Sequence, residues 1–282
     1  MKKILALTLA CLMILCSFAA VAEEAPVKLG QVQYAAHGQQ AFAVITVAVQ
    51  NETVLAAWID EYQVMSGEGV VGVPNSDAAF GANIVGNEDG KVLGSKRVNN
   101  AFYSGNMASR GGATQELLVS WQAIEAFVAG KTIYELEEYA FDKADAAGVD
   151  VISGATLADT LGYLKGIIAA ADVAANIQTG HYTVYNKTGE TVTELYFTDN
   201  VTGEKSVNLV GAGLAADAVY TVVRTLPAGE DAHHRFTLSF KTESGYEGSF
   251  ATLSLETVPM TLLAQADVAT GATQITFFAP AE

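Results

Sequence analysis

Along the first third of the chain, apolar and polar positions alternate with the period of a strand. Ala41 to Val49 (AFAVITVAV) and Val54 to Ile59 are β-branched runs separated by Gln50-Asn51-Glu52, a pattern that predicts a β-hairpin. Glycines at 67, 69, 72, 81, 86, 90 and 94 then mark Ser66 to Asn100 as loop-rich. From Gln115 the period changes. Leu117, Leu118, Trp121, Ile124 and Phe127-Val128 fall on one side of a helix running to Val128 and stopped by Gly130. A second short helix is expected over Thr132 to Tyr139, with Thr132 as cap and Glu135 three residues on. A third is expected over Leu157 to Ala171, on a stripe of Leu157, Leu161, Leu164 and Ile168.

After Asn176 the helical period disappears. His181–Tyr185, Val192–Thr198, Ala218–Thr225, Arg235–Lys241, Phe250–Glu256, Met260–Ala264 and Gln274–Phe278 alternate or run β-branched, with turns such as Lys187-Thr188-Gly189 and Ser244-Gly245 between them. Short strands at this spacing predict a β-sandwich. The expected organisation is therefore an α+β domain over residues 23–176, followed by an all-β sandwich-like domain over residues 177–282.

Residues 1–22 read as a secretory signal. Lys2 and Lys3 precede an apolar run from Ile4 to Phe18, and Ala20-Val21-Ala22 offers a small-residue cleavage site. The run is shorter than the roughly 20 apolar residues that span a bilayer, so cleavage is expected over anchoring. Cys11 and Cys16 leave with the signal, which removes disulfides, a thiolate catalyst and cysteine-ligated metal or iron–sulfur sites from the mature chain. What remains has 13 Lys and Arg against 31 Asp and Glu, a formal charge near −18. That balance argues against nucleic-acid binding and against anionic lipid surfaces. No second long apolar stretch occurs, so membrane insertion of the mature chain is not expected, and the expected location is extracytoplasmic.

The string that carries chemistry is Asp150-Val151-Ile152-Ser153-Gly154-Ala155-Thr156, directly before the third expected helix. A hydroxyl at a helix start meets free backbone N–H groups and the positive end of the helix dipole, which favour an anion. Gly154 and Ala155 leave the approach clear of side chains, and Asp150 is placed to orient a hydroxyl or hold a metal ion during a modification. The dipole contributes only about 0.3–1 kcal/mol at an exposed end, too little to retain a cofactor in a dilute exterior. A covalent link removes that difficulty. The bland alternative is a threonine that merely caps a helix.

D-x-x-[ST]-G-A-T before a helix resembles the flavinylation motif of the bacterial FMN-binding domain family. That family includes the soluble domains of the C subunit of sodium-translocating NADH:quinone reductase and of the G subunit of the Rnf complex. The resemblance runs more loosely upstream through the early hairpin and Ser120 to Thr132, covering about Gln31 to Ala175. It implies an FMN-binding-type α+β domain in which a magnesium-dependent flavin transferase moves FMN from FAD onto the last threonine of the motif. Carried over by position, Thr156 is the implied acceptor, and Asp150, Ser153, Gly154 and Ala155 are recognition positions. The implied function is extracytoplasmic electron transfer by a carrier rather than a stand-alone oxidoreductase, with an unidentified redox partner. A cofactor-free surface or interaction protein reusing the fold is the rival. In the E-T-x-G-x-G place of that family stands Ser66-Gly67-Glu68-Gly69, and Asp267 to Thr273 repeats the motif letters between expected strands. There a turn and strand start is expected.

Trp58, Tyr62, Phe102, Tyr103 and Trp121 are candidates to stack on a flavin ring, with core packing as the alternative, preferred for Trp121. Tyr103 is expected in a loop. Lys96, Arg97 and Arg110 are candidates to face a phosphate, with ordinary surface pairing as the preferred alternative. His233-His234 is expected in a strand with its rings on opposite faces, which disfavours a metal site. Three N-x-T sequons, beginning at Asn51, Asn186 and Asn200, are expected by chance in so Thr-rich a chain.

Overall fold

The computed structural model describes residues 25–76, 78, 81, 91–142 and 157–280. The signal read at residues 1–22 lies outside them. Among the described residues the chain is mixed α+β, with three mostly antiparallel sheets.

The first sheet has the order β1-β2-β3-β4, from Lys28–Tyr34, Ala41–Gln50, Thr53–Met65 and Val92–Ser95. The β2–β3 hairpin turns on Asn51 and Glu52, both with positive φ (49° and 62°), the geometry that matches the right-handed twist of the strands. Ala43, Ile45, Val47 and Val49 alternate inward along β2, as the sequence pattern requires. Four helices accompany this sheet: α1 (Asn100–Gly111), α2 (Leu117–Val128), α3 (Ile133–Asp142) and α4 (Thr160–Ala175). The expected capping box opens α3. Glu135 accepts from the Thr132 N–H at 2.8 Å, and Thr132 Oγ1 accepts from the Glu135 N–H at 3.2 Å.

Two local readings need correcting. Tyr103 lies in helix α1, not in a loop. NAFYSGNMASRG lacks an apolar stripe because α1 buries only Ser104 and does polar work: Ser104 Oγ and Asn100 Oδ1 accept the free N–H groups of Leu117 and Leu118 that open α2. Helix α4 begins at Thr160, three residues past Leu157, because the intervening segment forms a turn closed from Thr160 N–H to the Leu157 carbonyl at 3.1 Å.

Helix α4 crosses the buried face of the sheet at close range. A Cβ on Gly162 would collide with the Ala36 carbonyl, and one on Gly30 of β1 with the Ala170 carbonyl, so glycine at both sites sets the spacing. Ile45, Ile59, Trp121, Ile124, Leu136, Leu164 and Ile167 belong to the resulting core.

The helix stops at Asn176, left-handed with φ 61°, and β5 (Ile177–Lys187) follows at once. The seven segments expected to be strands coincide with or overlap β5, β6 (Val192–Asp199), β7 (Val219–Pro227), β8 (Phe236–Thr242), β9 (Glu247–Leu253), β10 (Thr257–Leu263) and β11 (Ile275–Thr276). They form two sheets, β11-β10-β5-β7 and β6-β8-β9. Both contribute to one hydrophobic cluster, Tyr182, Val184 and Met260 from one and Leu195, Phe197 and Leu238 from the other. Strands β5 and β10 pair in parallel, and a short helix, α5 (Gln265–Ala269), interrupts the strands.

Candidate functional site: a cleft at the start of helix α4

Asp150, Ser153, Gly154, Ala155 and Thr156 all lie outside the described residues. The description resumes at Leu157, and Leu157, Ala158 and Asp159 form part of the wall of a cleft of about 460 Å³. The opposite wall comes from α1, through Tyr103 and Met107, and from the turn at Gly112. His37, beyond β1, closes one end by pairing with Asp159.

Lys96 and Tyr163 also line this cleft, and both converge on Glu61. Glu61 (0% exposed) sits on β3 and is ion-paired to Lys96 (1% exposed). Tyr163 on α4 donates its hydroxyl to Glu61 Oε2 at 3.2 Å. Burial, and after it the Glu61 carboxylate, push the Tyr163 phenol far above its ordinary range, so it stays a protonated donor. Lys96 Nζ lies 4.3 Å from the centroid of the Tyr103 ring. Glu61 Oε1 has no hydrogen-bond partner among the described residues. A buried carboxylate of this kind costs several kcal/mol to desolvate, which its ion pair has to offset.

The turn that delivers Lys96 is held by its neighbours. Asp60 accepts from Ser95 Oγ and from the backbone of Glu61 and Arg97, and the Asn99 amide bridges to both backbone groups of Val71. Next along the chain, Arg97 is committed elsewhere. It donates to the Ile59 carbonyl at 2.7 Å, pairs with Glu125 and stacks 3.8 Å from the Trp58 ring. Glu125 accepts the Ile59 N–H, so this pair satisfies the backbone of β3 beyond the end of β4. Arg97 is thereby occupied as a structural residue, and Trp58 carries it.

A second cavity of about 810 Å³ shares Tyr103, Met107 and Gly111 with the first, and extends past Phe102 and Ser66 to Lys91 and Arg110. The aromatic candidates separate accordingly. Tyr103 borders both cavities and Phe102 the second, Tyr62 stacks on Phe42 with centroids 5.6 Å apart, and Trp121 is fully buried against Tyr163. His233 and His234 occupy an exposed turn rather than a strand, and no group of three metal-ligating side chains is found among the described residues.

The second motif copy is fully described. Asp267 is in α5, and Thr273 precedes β11 and donates its hydroxyl to the Ile275 carbonyl at 2.8 Å. No helix follows it.

Sequence reasoning missed Glu61, Tyr163, His37 and Asp159. For Glu61 a signal was present: Asp60-Glu61 interrupts a strand that is otherwise mostly apolar, and two adjacent carboxylates there require partners from both sides of the sheet.

No family model and no curated protein matches this chain. A solved structure, the NMR structure of a protein from Eubacterium rectale, aligns at 17% identity over 36% of this chain and 90% of that one, with a TM-score of 0.25. A likeness at that score carries no argument.

Proposed function

We propose that this chain is an exported flavoprotein of the FMN-binding type. FMN is joined through its phosphate to Thr156, and the protein serves extracytoplasmic electron transfer. The observation that carries the reading is one of continuity. The motif ending at Thr156 runs directly into Leu157-Ala158-Asp159, which line a cleft whose other residues include an aromatic ring, a thioether and a buried lysine.

The residues suit the group. Ligand cavities commonly occupy about 300–1,000 Å³, and both cavities here fall in that range. Tyr103 and Met107 offer apolar faces for a flat ring, while the Lys96 ammonium, one of whose protons goes to Glu61, keeps donors for its polar edge. Lys91 and Arg110 supply positive charge at the far end in an otherwise acidic chain. FMN, when bound, supplies the redox chemistry. The chain's residues orient the ring and keep a cation beside it, and the attachment point directly precedes the cleft-lining Leu157 in the sequence.

Attachment balances as a phosphoester transfer. The Thr156 Oγ–phosphorus bond forms, the pyrophosphate bond of FAD breaks, AMP leaves, and the hydroxyl proton passes to a base of the transferase. The β-module then serves as a spacer or docking surface for the redox partner or the envelope. Co-expression with a flavin transferase, followed by denaturing electrophoresis, tests the reading. Wild-type protein should fluoresce in the gel and Thr156→Ala should not. A dark wild type would favour a cofactor-free interaction protein.

A further inference from the structure

Four buried polar atoms that form no well-aligned hydrogen bond among the described residues gather where the two hydrophobic cores meet, close enough to act on one another. They are Glu137 Oε1 on α3, Asp172 Oδ1 on α4, and Thr179 Oγ1 and His181 Nε2 on β5. Buried polar groups are normally paired, and unpaired ones in one place mark a site whose protonation or occupancy matters. His181 is nearly buried and packs its ring on Phe141 of α3, with centroids 3.7 Å apart and an interplanar angle of 19°. Its Nε2 lies 3.5 Å from Glu137 Oε1, and its Nδ1 lies 3.3 Å from the hydroxyl of Thr257 on β10.

We infer that this seam is a proton-operated latch: a proton on the Asp172 carboxyl, beside the Glu137–His181 contact that joins the two units, closes the α+β unit onto the β-module, and its loss loosens the contact. The imidazole fastens α3 to the β-module: with its proton on Nε2 it donates to Glu137, while Nδ1 accepts from the Thr257 hydroxyl. With no proton to share, two carboxylates occupy one poorly solvated site, and like charges there repel. The Asp172 carboxyl is already raised to about 6, first by burial and further by Glu137, against the opposing influence of Thr179 and His181.

The other charged groups around the site do not neutralise it. Lys165 of α4 sits over the Phe141 ring at 4.7 Å. Arg224 of β7, opposite Gly180, lies 5.3 Å from the Phe197 ring. Glu256, before β10, adds a further negative residue, and its carbonyl accepts the His181 N–H at 2.9 Å. Neither cation forms an ion pair with Glu137 or Asp172 among the described residues.

The sign follows from the raised carboxyl. The folded seam binds more protons than the unfolded chain, so its stability is present in full below the ordinary carboxylate range and is lost as pH rises through about 6. Hydrogen exchange on the full-length chain, corrected for intrinsic chemical exchange, reads this directly and needs no flavin. Protection of backbone amides in residues 172–181 and 133–142 should fall about threefold to fivefold from pH 5 to pH 8, while β8 keeps its protection. Asp172→Asn should hold the seam at the protected level at both pH values, and Glu137→Gln should do so in part. Equal protection of the wild-type seam at pH 5 and 8 would overturn the latch. So would a folded Asp172→Asn with the full wild-type pH dependence, and the wild-type comparison decides even if the variant does not fold.

Discussion

The α+β unit and the β-module bury polar groups in different ways. In the β-module, Asn186 is buried and fully used. Its amide donates to the carbonyls of Glu190, Leu214 and Ala215, and its oxygen accepts from the N–H and hydroxyl of Thr188. Arg235 is likewise committed, to Asp199 and Glu230. Away from the seam, the module's unpaired groups among the described residues, Arg224 Nε on β7 and the Tyr246 hydroxyl in the turn before β9, stand singly. In the α+β unit a full ion pair is buried beneath the cleft with one carboxylate oxygen unpaired, and at the seam Glu137 and Asp172 of this unit meet Thr179 and His181 of β5. Polar burial in the module fixes loops. Polar burial in the first unit stores charge beside a cavity, as expected where binding or proton uptake takes place.

The sharpest way to break this contrast is to cut the buried pair. Lys96→Met leaves Glu61 charged and unpaired in the core and should destabilise the first unit by about 3–5 kcal/mol. Adding Glu61→Leu should restore most of that loss, and thermal melts of single and double variants check it. If the double variant is no better than the single, the pair is not the isolated charge unit described above.

A smaller loss is expected from the satisfied hub. Asn186→Ala removes every bond of this buried amide, although the Glu190, Leu214 and Ala215 carbonyls each keep a second donor, and should cost about 2 kcal/mol by chemical denaturation. The loss should be confined to the β-module, leaving flavin attachment unchanged. Loss of flavin loading in that variant would show that the two regions are not separable in function.

Asp172→Asn should act in the opposite direction. Because the native carboxyl is raised to about 6, the variant should be more stable than wild type at pH 8 and equal to it near pH 4. Allowing for the partial exposure of Asp172, the gain should be about 1 kcal/mol. A melting temperature unaffected at both pH values would remove the seam from the comparison.

Much of this contrast was invisible in the sequence, for physical reasons. The hairpin and the strands after Asn176 were legible because one-faced burial imposes alternation, as in Phe236, Leu238 and Phe240 of β8. The Thr132–Glu135 box was legible because it is a local reciprocal bond. Helix α1 was not, since its buried contribution is the Ser104 hydroxyl that caps another helix. The parallel β5–β10 pairing joins residues more than seventy positions apart, and no local pattern encodes it. The candidate site divides the same way. The motif letters at 150–156 are local and readable, but Glu61, Lys96 and Tyr163 meet only through the packing of β3, the turn after β4, and α4.

The smallest effect is expected at the second motif copy. Thr273→Ala removes one partly exposed hydroxyl bond to the Ile275 carbonyl and should change stability by less than about 1 kcal/mol. Flavin loading should be unchanged, because a strand rather than a helix follows that threonine.

The central claim is the attachment at Thr156, and peptide mass mapping of protein purified after co-expression with a flavin transferase reads it most directly. The tryptic peptide from Ala144 to Lys165 contains Thr156, and the C-terminal peptide from Thr242 contains Thr273. The first peptide should gain the mass of one FMN less one water, with fragmentation placing it on Thr156, and the second should be unmodified. Flavin on the C-terminal peptide, or on neither, would contradict the claim.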